Sequence, residues 1–226
     1  DFLSEWAIDV INNLPLSYSQ LIKDLEPEIL ESESSKQDDV QYWIEKTNYK
    51  GRPDRMSGPN SLGKALWSPQ SSSSGGKIYQ EMLEVTPGDL VFHLSDGSIT
   101  GISVASALAD DKFVCIEGTD WAGLDGYRVP LESYQELDPK LDRNHIFQEK
   151  NSMINIRKNN KRLFYTINLD YRQGAYFSKL PKELVQLFNK IYKQLAQEDL
   201  PHFNGDEDLP YIKEDDEMPE ENYSID

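Results

Sequence analysis

Three short runs decide how this chain folds: VQYWIEKTN at residues 40–48, ALWSP at residues 65–69 and PGDLVF at residues 87–92. The first and the last are apolar enough to predict strands, and a Pro-Gly-Asp turn introduces the last one. Between them lies a long polar loop rich in serine and glycine, which carries Trp67 near its middle. A tryptophan there either fills a core or lines a pocket, and its spacing does not decide between the two.

Alternating apolar residues predict five short strands in the middle of the chain. They span residues 40–47, 90–95, 99–107, 112–117 and 127–131, and an Asp-Gly hairpin signal separates the second from the third. Short strands at close spacing, with little helix between them, favour a small barrel or curled sheet over a doubly wound parallel fold. The predicted fold class is therefore α+β, a small β-barrel with flanking helices.

Helical periodicity is predicted on both sides of this barrel. Residues 2–14 and 19–30 place apolar groups at helical intervals. A later helix is predicted, with Ser178 as its N-cap and Pro181 in its first turn. Its apolar stripe is Leu184, Leu187, Phe188, Ile191 and Leu195. A further helical turn is predicted at residues 132–137.

These patterns divide the chain into four parts. Residues 1–39 are predicted to form an N-terminal helical segment and acidic linker, and residues 40–138 the barrel domain. Residues 139–198 form a C-terminal extension with the amphipathic helix, and residues 199–226 an acidic disordered tail or linker. The chain lacks an initiator methionine, so we expect a piece of a longer protein. No apolar run approaches the roughly 20 residues of a membrane helix, and we expect a cytoplasmic location.

Charge is distributed unevenly along the chain, whose net charge is −17. Residues 1–39 hold ten acidic and two basic side chains, and residues 199–226 hold eleven acidic and one basic. Residues 40–198 therefore carry a net charge of only +1. This neutral middle, with a basic loop at residues 46–77, is compatible with a nucleic-acid partner. The side chains expected to contact its backbone are Lys50, Arg52, Arg55, Lys64 and Lys77.

The sequence contains no motif that predicts catalysis. It has no phosphate-binding loop, no dinucleotide-binding glycine pattern and no serine elbow. Its single cysteine, Cys115, excludes an internal disulfide, and its three histidines lack the spacing of a zinc site. We therefore expect a protein that is not an enzyme and binds no metal or cofactor.

Two tryptophans give the stronger functional signal. Trp67 lies in the long loop, and Trp121 lies in a second loop whose glycines would let a ligand approach the backbone. Two aromatic side chains on loops suit a cage that holds a flat or methylated group. The alternative is that both cap a core.

The middle of the chain resembles the EVE and YTH branch of the PUA-like superfamily over about residues 40–138. Four runs carry the resemblance in order: YWIEKTN at residues 42–48, LWS at residues 66–68, PGDLVF at residues 87–92 and ITGI at residues 99–102. The resemblance implies a PUA-like barrel of the EVE/YTH type and a function in reading a modified base.

It also implies a binding site. Trp67 and Trp121 would form aromatic walls around a methylated base, with Leu124 or Tyr127 as a third wall. The residues that would meet the polar edge of the base, or contact it beside Trp67, are Lys46, Thr47, Asn48 and Ser68.

Residues 173–181 resemble the segment that follows such domains in modification-dependent restriction proteins of the McrB type. This implies a non-catalytic module that binds a modified base in double-stranded DNA, with the base flipped into the cage. Motor and nuclease domains or subunits would then be its partners. A reader of N6-methyladenosine in RNA and a protein-interaction module with no base pocket are the alternatives.

Overall fold

A computed structural model describes residues 40–203 of the chain. It contains seven strands: β1 (Tyr42–Lys46), β2 (Ala65–Pro69), β3 (Leu90–Ser95), β4 (Ser98–Ala105), β5 (Asp110–Val114), β6 (Asp125–Leu141) and β7 (Phe177–Leu180). It also contains four α-helices: α1 (Pro53–Met56), α2 (Arg143–Ile146), α3 (Lys150–Asn159) and α4 (Lys182–Ala196). A 3-10 helix spans Gln80–Glu84. The helices predicted at residues 2–14 and 19–30 and residues 204–226 of the predicted acidic tail lie outside the described residues. The first residues of that tail, 199–203, are ordered and not disordered as predicted, because Leu200 and Phe203 are buried.

The strands form one curled sheet in the order β2-β6-β4-β3-β1-β7, and β5 pairs with β6 beside this path. Only β1 and β3 run parallel among the described strands, and the other pairs are antiparallel. The first part of β6 pairs with β2 and β5, whereas its second part pairs with β4. This long strand therefore joins the two halves of the sheet, and the predicted α+β, barrel-like fold with flanking helices is confirmed.

Each face of the sheet has its own apolar cluster, because successive side chains of a strand point to opposite sides. Ile44 and Phe92 face a cluster that contains the buried side of α4, including Phe188 and Ile191. Their neighbours Trp43 and Val91 face a second cluster that fills the curl of the sheet. β1 and β3 are therefore covered on both faces, which explains their nearly continuous apolar sequence.

Gly101, in the ITGI run, is required by close packing inside this curl. A Cβ atom at this position would lie 2.5 Å from the ring of Tyr134 and 2.6 Å from the carbonyl oxygen of Gln135. Both of these residues belong to β6, the neighbour of β4. Only a residue without a side chain lets the two strands and the tyrosine ring approach so closely.

Two secondary-structure predictions are wrong for identifiable reasons. Residues 132–137 do not form the predicted helical turn. They belong to β6 and pair with β4. Irregularities in the β4–β6 pairing break the alternation of apolar residues there, and this hides the strand pattern. Trp67 lies in β2 and not in a loop. The sequence did not predict this five-residue strand, which is buried throughout, because polar residues surround it.

The C-terminal part supplies both an edge strand and the main helix of the fold. β7 pairs antiparallel with β1, and α4 follows at once with Pro181 preceding its first residue. Ser178 lies in β7, so it does not cap the helix as predicted. Leu184, Phe188 and Ile191 are fully buried, whereas Leu195 at the end of the predicted stripe is 37% exposed. Within residues 40–203, no helix is long and apolar enough to cross a membrane.

We expect the substitution Phe188→Ala to lower the free energy of unfolding by about 3–5 kcal/mol, because it leaves a cavity between α4 and the sheet. Leu195→Ala in the same helix is the matched control, and its cost should stay below about 1 kcal/mol because Leu195 is partly exposed. Urea denaturation at neutral pH measures both values. Equal losses for the two variants would contradict the observed packing of α4.

Candidate functional site

Trp67 is buried but lies outside both apolar clusters. Its neighbours Leu66 and Ser68 point into the curl of the sheet, where Leu66 joins the second cluster and Ser68 contacts the sulfur of Met82. Trp67 points to the other side of β2 and is only 3% exposed. Its indole N–H has no hydrogen-bond partner among the described residues. A buried donor without an acceptor is uncommon in proteins and costs stability.

Three side chains, Phe113, Trp121 and Arg52, cover Trp67, and we call the three aromatic residues among these four the aromatic cluster. Phe113 of β5 lies 5.9 Å away between ring centroids, and Trp121 lies 5.9 Å away with its ring at 83° to that of Trp67. The guanidinium carbon of Arg52 is 5.2 Å from the Trp67 ring and 5.7 Å from the Trp121 ring. Trp121 is 39% exposed, so solvent reaches the cluster on its side.

A buried ion pair anchors the segment that carries Arg52. Arg55 of α1 lies inside the protein, 2.5 Å from the carboxylate of Glu45 on β1, and both side chains are almost fully buried. The same guanidinium donates to the carbonyl oxygens of Asn60 and Ala65. These bonds hold α1 and the following turn against the end of β1 and the start of β2.

Glu45 has further partners that connect it to Trp67. The hydroxyl of Tyr176 lies 2.8 Å from the Glu45 carboxylate and 2.8 Å from the carbonyl oxygen of Trp67. Burial would raise the pKa of Glu45, but the charge of Arg55 and the hydrogen bond with His93 outweigh it, so this pKa lies below its usual value. Burial raises the pKa of Tyr176 far above its usual value, and the Glu45 charge raises it further.

His93 and Ser103 complete this network in a geometry that resembles a catalytic triad. His93 Nδ1 is 3.0 Å from Glu45, and His93 Nε2 is 2.8 Å from the Ser103 hydroxyl. All three side chains lie on neighbouring strands and are fully buried. A nucleophile must reach a substrate, and Ser103 has no exposed surface. The arrangement therefore satisfies polar groups inside the sheet, and His93 is a packed strand residue.

The residues predicted to meet the base edge are divided between two places. Thr47 is buried, and Ser68 points into the curl of the sheet. Lys46 and Asn48 instead line a separate cavity of about 250 Å³, together with Leu94, Asp96, Gly97 and Tyr171. The ammonium of Lys46 donates to the carbonyl oxygen of Arg172, and burial lowers the pKa of this lysine.

The two candidates for a third wall also differ in position. Tyr127 is buried in the second apolar cluster, on the side of the sheet opposite to the Trp67 ring. Leu124 is 49% exposed and shares a loop with Trp121. Arg52 and Phe113, and not these two residues, contact the Trp67 ring. The sequence had not predicted either contact. Phe113 could have been found from its place in a predicted strand beside the Trp121 loop.

One of the five basic side chains predicted to contact a nucleic-acid backbone is wrongly assigned. Arg55 is buried in its ion pair with Glu45 and is not available to a phosphate. Lys50, Lys64 and Lys77 are exposed. Arg52 is partly exposed and engaged with the aromatic cluster and Asp54. Lys77 lines a second cavity of about 620 Å³, together with Tyr79, Glu81, Arg162 and Arg172.

Residues 40–203 contain no group of three or more His, Cys, Asp or Glu side chains that could hold a metal ion. Cys115 is buried, and burial raises the pKa of its thiol.

Comparison with models of known protein families gives no match, and neither does comparison with curated proteins. The chain is similar to the solved structure of Rpa0253 from Rhodopseudomonas palustris at 15% identity and a TM-score of 0.41, over 69% of this chain and 95% of that one. It is similar to Atu2648 from Agrobacterium tumefaciens at 14% identity and a TM-score of 0.34, over 67% and 93%. A third similar structure is the YTH domain of the Zygosaccharomyces rouxii MRB1 protein in complex with N6-methyladenosine RNA, at 10% identity and a TM-score of 0.36, over 69% and 88%.

The network around Glu45 leads to a prediction about pH. Because the pKa of Glu45 is lower in the folded than in the unfolded protein, its contribution to stability is present above the unfolded-state pKa and is lost as pH falls through the folded-state value. The substitution Glu45→Gln should cost about 3–5 kcal/mol at neutral pH, because it leaves Arg55 buried without a counter-charge. It should also flatten the decline of stability below about pH 5.

Urea denaturation at a series of pH values measures both effects. Glu132→Gln, which removes an exposed carboxylate from β6, is the matched control and should keep the wild-type pH dependence. A Glu45→Gln protein with the stability and pH dependence of the wild type would show that the buried pair contributes nothing.

Proposed function

We propose that this chain is a non-catalytic recognition module that binds a modified, methylated base in DNA. The observation that carries the proposal is the pairing of an exposed tryptophan, Trp121, with a buried one, Trp67, whose indole N–H has no acceptor in the described part of the chain. The resemblance of residues 40–138 to the EVE and YTH branch supports the proposal from the sequence.

The aromatic cluster has the chemistry that a flat heterocycle requires. Base stacking on an aromatic side chain typically contributes about 1–3 kcal/mol per base. The Trp67 indole N–H finds no acceptor within residues 40–203. A ring nitrogen or carbonyl oxygen of a base could accept its hydrogen bond, which would remove the cost of a buried unpaired donor. A methyl group would lie against apolar ring surface and gain about 0.8 kcal/mol from its burial.

A protein-interaction module without a base pocket is one of the two alternatives, and it would place both tryptophans in a core. Trp121 is too exposed for that role, and Trp67 belongs to neither apolar cluster. These positions favour a ligand site over a purely structural one.

A base inside a duplex could reach the aromatic cluster only by flipping out of the stack. Flipping costs a few kcal/mol, which stacking on an aromatic side chain approximately offsets. Discrimination between modified and unmodified bases then depends on the methyl contact and on hydrogen bonds to the base edge. We propose double-stranded DNA as the target, within a modification-dependent restriction system whose motor and nuclease lie elsewhere.

We expect Trp121→Ala to remain folded and to lose the preference for a modified base, because Trp121 provides the exposed aromatic surface of the cluster. Trp121→Phe should keep much of the preference, since a phenyl ring still stacks. Binding of DNA and RNA oligonucleotides that each carry one modified base, measured beside their unmodified counterparts, tests this. Circular dichroism monitors the fold.

Leu108→Ala is the control for Trp121→Ala, because Leu108 is also an exposed apolar side chain and lies outside the aromatic cluster. Trp67→Ala is a poor test, since the loss of a buried tryptophan should itself cost about 3–5 kcal/mol. A folded Trp121→Ala protein with unchanged preference would refute this site, and a preference for modified RNA alone would exclude DNA as the target.

The exposed lysines give a second prediction. Replacing Lys50, Lys64 and Lys77 together by alanine should weaken binding of modified and unmodified DNA by similar factors, because phosphate contacts carry no base information. The slope of log K against log salt concentration should fall by about 0.9 for each contact removed. A matched triple variant of exposed lysines on the helical side, at Lys150, Lys158 and Lys190, should change neither quantity if binding occurs at the aromatic cluster. An unchanged salt slope in the first variant would show that these lysines do not contact phosphates.

A further inference from the structure

We propose that the Arg52 side chain is an internal occupant of the aromatic cluster: it fills the space between the Trp67 and Trp121 rings until a ligand displaces it. That a side chain fills this place follows from the geometry of the cluster. That the displacing ligand is a methylated base rests on the proposed function.

The guanidinium lies in the angle between the two tryptophan rings. The rings stand at 83° to each other, and the guanidinium carbon lies 5.2 Å from one centroid and 5.7 Å from the other. Both distances are within the range of about 6 Å in which a cation is attracted to an aromatic face. A guanidinium is flat and weakly hydrated, so it stacks on an indole much as a heterocycle does. A ligand that contacted both rings would need the same space.

Arg52 is held in this place by two further interactions. Its Nε and Nη2 atoms donate to the two carboxylate oxygens of Asp54 at 2.9 and 2.8 Å. Burial would raise the pKa of Asp54, but the hydrogen bonds from Arg52 outweigh it, so this pKa lies below its usual value. The backbone of the segment is anchored by Arg55, which is buried against Glu45. Arg52 therefore has a defined position at the rim of the cluster.

This position has a direct consequence for binding. A ligand can enter the space between the two rings only if the guanidinium moves off both of them, so the cation–π contacts of Arg52 are subtracted from the affinity of the ligand. The side chain is 28% exposed and can rotate towards solvent. Once displaced, it becomes a cation at the edge of the site, where a phosphate of the same nucleic acid could bind it. Arg52 would thus disfavour free nucleosides more than oligonucleotides.

The first test needs no base and uses tetramethylammonium chloride as a probe of the aromatic faces. The ¹⁵N–¹H signals of the Trp67 and Trp121 indoles are assigned with tryptophan-to-phenylalanine variants and followed during titration. In Arg52→Ala both signals should shift in a saturable manner, whereas the wild type should respond at least about tenfold more weakly, which corresponds to about 1.4 kcal/mol. Arg162→Ala, which removes an equally charged but highly exposed side chain, should behave like the wild type.

Asp54→Asn is the second variant, because it weakens the hold on Arg52 without removing the cation. It should give an intermediate response, and it serves in place of Arg52→Ala if that protein does not fold. Equal responses of the wild type and the folded variants would overturn the proposal. So would the absence of a saturable shift in all of them, because an uncovered pair of indoles must accept the probe.

The second test measures binding of N6-methyl-2′-deoxyadenosine and 5-methyl-2′-deoxycytidine, which carry no phosphate. Arg52→Ala should bind the preferred nucleoside about tenfold more tightly than the wild type does. Weaker binding by Arg52→Ala would show that Arg52 is a wall of the site and not its occupant, which overturns the proposal. If the probe enters as expected but neither protein binds either nucleoside or any modified oligonucleotide, the internal occupant stands and the proposed function fails.

Discussion

The carboxylate of Glu45 is the point at which distant parts of the chain meet. It lies on β1, between β3 and the edge strand β7, and pairs with Arg55 from the helical turn before β2, with His93 from β3, and with Tyr176 from the segment before β7. Removing a charge from water is expensive, and only good geometry with several hydrogen bonds offsets that cost. The chain must therefore bring all of these partners together before Glu45 can be buried. This requirement makes the network a specific constraint on the fold as well as a source of stability.

The position of the aromatic cluster follows from this network. Arg55 fixes the short helix whose preceding residue is Arg52, and the Tyr176 hydroxyl contacts the backbone of Trp67. Polar groups on the curl side of β2 thus place both Arg52 and Trp67. A rigid buried support of this kind suits a site whose side chains must hold a ligand in one orientation. It also explains why Trp67 can be buried without belonging to either apolar core.

The aromatic cluster itself departs from the rules that govern the rest of the protein. It leaves a buried indole N–H without an acceptor among residues 40–203, it exposes a large part of a second tryptophan, and it stacks a cation where a core would place an apolar side chain. The unpaired donor costs stability in the free protein, whereas the contacts of Arg52 with the two rings are favourable. Departures that occur together at one place, beside an otherwise well-packed sheet, are typical of a binding site. The triad-like group of Ser103, His93 and Glu45 shows the opposite pattern, since every polar atom in it is paired and none is exposed.

The sequence by itself determined the strands β1, β3 and β4, the hairpin between the last two and the apolar stripe of α4, because these elements depend on local periodicity. It also singled out Trp67 and Trp121 as a pair, which the structure brings within 5.9 Å of each other. Their role in binding a base stays a prediction. The tertiary structure alone decided that Arg55 is buried and that Arg52 covers the tryptophans, because both depend on partners that local patterns do not reveal. It alone also separated Lys46 and Asn48 from the aromatic cluster, since the face on which a strand residue lies is set by the register with its neighbours.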